Sequence, residues 1–285
     1  MLALPFFLIA LAAYASGCNV PIQHYETMRC NPIGKRTSAG CPQRYECPTL
    51  TTRDSTKCYF HGQTYRLDEQ IPNPEVAHQC ATSCHCRSGK PFARIECVNI
   101  ECPEGFKGYD RENCVLSYNL QTCCSVGQIC GKQRSKTHKC TLDGKTYLEK
   151  ERMHPAKDQC RTCICHKKFQ ESNQVIDPYC YDSICDFELR YSDKLYAGAA
   201  PVYFKDSCCP VLWKMPENTD KVAVVSGKKS VPAAGPQSSA MKCKFGKLTL
   251  NVGDKLEPVR SNQYTYQCSC DVPPMVHCIA SVSPS

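Results

Sequence analysis

The sequence predicts a small disulfide-rich, mostly β fold, built of tandem modules of short antiparallel hairpins and irregular loops. Three observations carry that expectation. Cysteine supplies 26 of 285 residues, about 9%, the level of a disulfide scaffold. The cysteines recur at repeated spacings. The apolar residues are sparse and alternate locally, as in Lys145-Thr146-Tyr147-Leu148-Glu149 and Lys247-Leu248-Thr249-Leu250-Asn251-Val252, with Asp143-Gly144 and Gly253-Asp254 as turns. Such runs read as half-buried strands, and no window sustains a helical period.

The one long apolar run, Met1 to Tyr14, leads into the small residues Ala15-Ser16-Gly17. It reads as a secretory signal peptide over 1–17, cleaved after Ala15 or Gly17, although no Lys or Arg supplies its positive start. At roughly 14 residues it is short of the ~20 a membrane span needs. The mature chain is therefore expected to be secreted and extracellular, not inserted in a membrane, with its thiols oxidised. A net charge of +8 is spread along the chain and implies no nucleic-acid partner.

Cys58, Cys80, Cys84, Cys86, Cys97, Cys102, Cys114, Cys123, Cys124 and Cys130 define ten positions of a module spanning 58–130. A second copy, 140–209, reads Cys140, Cys160, Cys163, Cys165, Cys180, Cys185, Cys208 and Cys209, lacking positions seven and ten. Both open on Cys-x3-Gly-x2-Tyr (Gly62 and Tyr65; Gly144 and Tyr147), and both place Gln before the second cysteine. By spacing, Cys18, Cys30, Cys41 and Cys47 are positions six, seven, nine and ten, a back half over 18–47. Cys243, Cys268, Cys270 and Cys278 are positions one, three, four and five, a front half over 243–278, although Gln267 before Cys268 blurs positions two and three. The four sets use all 26 cysteines. Between the last two lies a linker, 210–242, whose Val225 to Met241 stretch is rich in Ser, Gly, Pro, Ala and Lys, a flexible composition. Its Lys228-Lys229 pair reads as solvated charge rather than a processing site.

Partners in an oxidising compartment tend to vanish together. The second copy loses seven and ten, so those two should pair. One terminal set lacks eight and the other lacks two, which makes two–eight the bond between halves, and six then pairs with nine. Positions one, three, four and five stay open between one–four with three–five and one–three with four–five, since a bond inside Cys-x-Cys is sterically poor.

This framework resembles the von Willebrand factor type C (chordin-type, VWC) family. The resemblance implies one–four and three–five. The expected bridges are then Cys58–Cys86, Cys80–Cys123, Cys84–Cys97, Cys102–Cys124 and Cys114–Cys130 in the complete copy. They are Cys140–Cys165, Cys160–Cys208, Cys163–Cys180 and Cys185–Cys209 in the second, and Cys18–Cys41, Cys30–Cys47, Cys243–Cys270 and Cys268–Cys278 in the terminal halves. The Trp that many members carry before the second cysteine is absent from both copies, and the spacings run long. A module of ~70 residues is marginal without staples, so the bridges, each worth roughly 3 kcal/mol, are expected to dominate stability in a row of separate modules, with hairpins in each front half and irregular loops in each back half.

Family members with tandem modules bind TGF-β-superfamily growth factors, bone morphogenetic proteins in particular, through the front half and the segment before it. The resemblance places that contact at Pro48 to Lys57 with the strand Tyr59-Phe60-His61-Gly62, where Tyr59 and Phe60 are the candidate anchors or else core residues. A matrix structural protein, a secreted defence signal and, less well matched, a protease inhibitor are the rival readings. The basic run Lys132, Arg134, Lys136, His138 and Lys139 is a candidate heparan-sulfate contact against the plainer reading of solvated linker charge. Cys160-x2-Cys163-x-Cys165-His166 has zinc-like spacing, but a repeated, fully paired set points to disulfides and no metal. His85 and His166 read as surface histidines. No nucleophile, metalloprotease or phosphate-loop motif occurs and no Asn-x-Ser/Thr sequon. The expectation is a non-enzymatic binding protein without cofactor or N-glycan.

Overall fold

The computed structural model describes residues 18–282 apart from 52, 108, 121, 157, 174–176, 206, 224–240 and 261–262. The expected signal segment 1–17, and most of the expected linker with Lys228-Lys229, lie outside the described residues. The fold is small, disulfide-rich and mostly β. Among the described residues no helix is long and apolar enough to cross a membrane.

Three hairpins carry the first cysteines of their sets. Cys58–Phe60 pairs with Gln63–Tyr65, Lys139–Leu142 with Lys145–Leu148, and Lys242–Phe245 with Leu248–Asn251. Their registers match: Cys58 faces Tyr65, Cys140 faces Tyr147 and Cys243 faces Leu250. The first two turn through His61-Gly62 (φ 47° and 74°) and Asp143-Gly144 (φ 49° and 74°). Two left-handed residues in succession are what a tight hairpin with right-twisted strands demands, and an X-Gly pair supplies them. Gly62 is further constrained, because a Cβ there would lie 3.3 Å from the Met28 carbonyl.

After each hairpin the chain returns to the fourth cysteine by one pair of hydrogen bonds, repeated three times. Asp68 N–H donates to the Cys86 carbonyl at 2.7 Å, and Cys86 N–H to that of Glu69 at 3.0 Å. Lys150, Cys165 and Glu151 repeat this at 2.7 and 3.0 Å, as do Gly253, Cys270 and Asp254. Each motif is closed by its own bridge: Cys58–Cys86, Cys140–Cys165 and Cys243–Cys270.

Thirteen disulfides are present, in the same pairs that the resemblance implies. No described cysteine is free. None of the bridges crosses from one of the four cysteine sets to another, so the sets are joined only by the chain and by packing.

That packing departs from a row of separate modules. Ile22, Tyr25, Met28 and Tyr45 of the first set, Phe187 and Leu195 of the third, and Val272 and Met275 of the last share one core. A five-stranded sheet runs in the order Leu212–Lys214, Ala200–Phe204, His277–Val282, Tyr264–Ser269, Val259–Arg260. Its Ala200–Phe204 and His277–Val282 pair is parallel, which ties the third set to the last. The reason is size. A half module of about 30 residues cannot bury its own apolar side chains, so the halves bury them against one another. The bridges therefore supplement a hydrophobic interior rather than replace one.

Two further expectations are corrected. The expected linker 210–242 is structured at its start. Leu212–Lys214 is an edge strand of the sheet, with Lys214 only 4% exposed, and Ala223 N–H donates to the Lys255 carbonyl at 2.8 Å. The back halves are not irregular loops throughout. Asn31–Ile33 pairs with Arg44–Glu46 and Cys114–Ser117 with Gly127–Cys130. The second copy keeps the equivalent hairpin without its disulfide, and there Ala200 faces Lys214 as Cys114 faces Cys130.

Candidate functional site

Tyr59 and Phe60, the candidate ligand anchors, are 6% and 0% exposed. Their strand is buried along its whole length, because it packs against the helix Phe187–Arg190 of the second copy. The Tyr59 hydroxyl accepts a hydrogen bond from Asp54 N–H at 2.6 Å. The end of the preceding segment is tied to the second copy. The Tyr196 hydroxyl donates to the carbonyls of Asp54 and Lys57 at 3.0 and 2.9 Å, and the Arg53 guanidinium lies over the rings of Tyr59 and Tyr196 at 5.0 and 5.3 Å. Of the two sequence readings, core residues and ligand contacts, the structure selects core.

At this junction sits a buried carboxylate. Glu188 is fully buried, accepts the His61 N–H at 2.8 Å and lies 3.9 Å from Arg53. Burial pushes its carboxyl up to about 7, against the His61 N–H and the Arg53 charge, which both favour the ionised form. Desolvation in turn lowers Arg53. His61 bonds Glu75 through Nδ1 at 3.2 Å, and its pKa is lowered, chiefly by burial.

The basic run is displayed outward. Lys132–Lys136 forms a short helix between the two copies, with Lys132 and Lys136 one turn apart and exposed, and Lys139 exposed on the strand that follows. Arg134 is diverted and donates to the Glu112 carbonyl at 2.7 Å. His166, read as a surface residue, is instead held by Asp177 at 3.0 Å and stacked on Tyr179 at 3.9 Å. His85 is half-buried, with Nδ1 3.0 Å from the Ser83 carbonyl. Among the described residues, three groups of Cys and His side chains stand close enough to hold an ion, including His138 with Cys140 and Cys165. Every cysteine in them is already bridged, so each lacks the thiolates a metal would require.

Two surface features escape the sequence reading. One is apolar: in the complete copy Val98, Ile100 and Phe106 are 58%, 37% and 72% exposed. The other is concave. Tyr45 N–H donates to the Pro273 carbonyl at 2.8 Å and Lys244 N–H to the Pro274 carbonyl at 3.0 Å. The 273–276 segment thus lies between the strands Arg44–Glu46 and Lys242–Phe245, and a groove of about 730 Å³ opens beside it. Leu195, Phe245, Met275 and Val276 are buried apolar residues of its lining, and Arg44, Glu46, Lys242 and Lys244 bring its charges. The alternation in Lys242-Cys243-Lys244-Phe245 signals that both lysines share a face. Nothing in the sequence signals that Arg44 joins them. Comparison with protein-family models, with curated proteins and with solved structures finds no match.

Proposed function

We propose that the chain is a secreted extracellular binding protein built of VWC-type modules, which binds and modulates a growth factor of the TGF-β/BMP class. The observation that carries the reading is the threefold recurrence of one bridged hairpin motif, down to its pair of hydrogen bonds. A rigid, repeated scaffold suits presentation of a surface. Extensive disulfide bonding is typical of extracellular proteins. With Tyr59 and Phe60 in the interior, this reading takes the exposed apolar residues Val98, Ile100 and Phe106 as the ligand contact. The test is binding of the oxidised protein to a panel of dimeric growth factors. Micromolar or tighter binding to one member, weakened by Phe106→Ser without loss of thermal stability, is expected. No binding to any member at micromolar concentration removes the proposal.

A second reading, retention in the extracellular matrix, is favoured by the outward display of Lys132, Lys136 and Lys139. It predicts salt-sensitive retention on immobilised heparan sulfate, reduced when the three lysines are changed to Ala. Retention unchanged by those substitutions would remove it.

A further inference from the structure

The groove beside Pro273-Pro274 holds three cations, Arg44, Lys242 and Lys244, against one carboxylate, Glu46. The strand geometry puts them there. Along Lys242–Phe245 the inward residues Cys243 and Phe245 are 0% and 1% exposed, which turns both lysines outward. Tyr45 likewise points inward between Arg44 and Glu46. Among the described residues none of the three cations lies within 4.0 Å of a carboxylate, whereas other surface arginines, such as Arg29 and Arg94, are paired with Glu75 and Glu96. These positive charges have therefore been left uncompensated beside an apolar lining.

That combination narrows the ligand. A cavity of this size, mostly apolar with a few charged groups, is the usual form of a small-molecule site. A sulfated polysaccharide would gain nothing from Pro48, Leu50 and Tyr196, which line the groove and keep part of their surface exposed. A neutral apolar molecule would gain nothing from the cations. A molecule with an apolar body and one anionic end uses both, because a charge-assisted contact strengthens where apolar walls displace water.

We propose that this groove binds a single-chain carboxylate amphiphile of the fatty-acid type. Its acyl body lies along Pro48, Leu50 and Tyr196, and its carboxylate meets Arg44, Lys242 and Lys244. The site is assembled from the first, third and last cysteine sets together, so it exists only in the packed form of the whole chain. It is independent of growth-factor binding, and neither result decides the other.

The test uses the full oxidised chain and the fluorescent fatty acid cis-parinarate, with palmitate and its uncharged counterpart hexadecanol as competitors below their aggregation limits. Saturable binding is expected, with palmitate displacing the probe at least about tenfold better than hexadecanol, the contribution of one charge-assisted contact. Arg44→Glu with Lys244→Glu should abolish binding, and Glu46→Gln should tighten it. The opposite signs separate a ligand effect from misfolding, and each variant is first checked for its thirteen disulfides. No saturable binding, equal displacement by hexadecanol, or affinity unchanged in the variants overturns the proposal. So does binding to anionic phospholipid vesicles without any displacement of the probe, which would give the cations to a membrane surface instead.

Discussion

Replacing Tyr25 by Phe should loosen the seat of the last cysteine set on the first. Tyr25 is 1% exposed, donates through its hydroxyl to the Val272 carbonyl at 2.7 Å and accepts from Met275 N–H at 2.7 Å. Its ring stacks on Tyr45 at 4.4 Å, and Phe preserves that contact. The substitution removes only the oxygen, and leaves one buried carbonyl and one buried N–H without a partner. Each orphan costs about 1–3 kcal/mol, so the combined penalty is about 2–6 kcal/mol. No disulfide joins these two sets, so the loss falls on their packing and not on the bridged units themselves. A change of about 3 kcal/mol corresponds to roughly a hundredfold in an equilibrium constant. Native-state hydrogen exchange reads this directly. The amides of Tyr45 and Lys244, bonded across the junction to Pro273 and Pro274, should exchange about a hundredfold faster. Those of Cys86 and Cys165, bonded inside single bridged motifs, should not change. Uniform acceleration of all four, or of none, would refute noncovalent assembly of separately bridged parts.

Three further outcomes follow from the same geometry. Ala200→Cys with Lys214→Cys should close the bridge that the second copy lacks, because the matching pair Cys114–Cys130 has a Cα separation of 4.2 Å. Mass mapping should show the fourteenth disulfide, and its gain of about 3 kcal/mol should be largely cancelled by the loss of Lys214 from Asp220 and Glu217, at 3.0 and 3.2 Å. Glu188, raised by burial to about 7, holds its proton in the folded chain at pH values where the unfolded chain has already lost it. Its contribution to stability therefore falls as pH rises from about 4.3 to about 7, and Glu188→Gln should flatten that part of a chemical-denaturation pH profile. Phe60→Ala should cost about 3–5 kcal/mol in the same assay, whereas a surface anchor at that position would lose ligand affinity alone.

The cysteine positions made much of this architecture readable. Losses at seven and ten, and at two and eight, are discrete events that leave matched gaps, and a covalent bond constrains two positions regardless of what surrounds them. The hairpin turn at Asp143-Gly144 was equally local, since left-handed φ has a direct residue preference, whereas His61-Gly62, read as the end of a strand, is a turn. The packing between sets was not. Cys58-Tyr59-Phe60 alternates with nothing polar, a run that fits either a buried strand or an exposed aromatic contact, and only the helix Phe187–Arg190, brought over from another set, makes it core. That helix and Gln23–Thr27 span four and five residues, too few for a helical period to emerge. Arg44 is half-buried in a three-residue strand, and its meeting with Lys242 and Lys244 depends on the 273–276 segment lying between their strands, which no local pattern encodes.

The division of labour between sulfur and apolar packing bears on how such a chain responds to its surroundings. Each bridge lies within a set and stabilises that set whatever its neighbours do. The contacts that unite the sets are of another kind: the core shared by Tyr25, Phe187 and Met275, the hydroxyl of Tyr203 bonded to His24 at 3.0 Å, and the carboxylate of Glu188 beneath His61. Two of these are titratable. Burial holds His24 neutral, with its pKa well below the usual value and lowered further by His277, so its contribution is lost as pH falls below about 6.5, opposite in sign to that of Glu188. Acid therefore weakens the His24 joint and rising pH the Glu188 joint, whereas reductant acts on the bridged units. The groove, assembled from three sets at once, depends on these joints together.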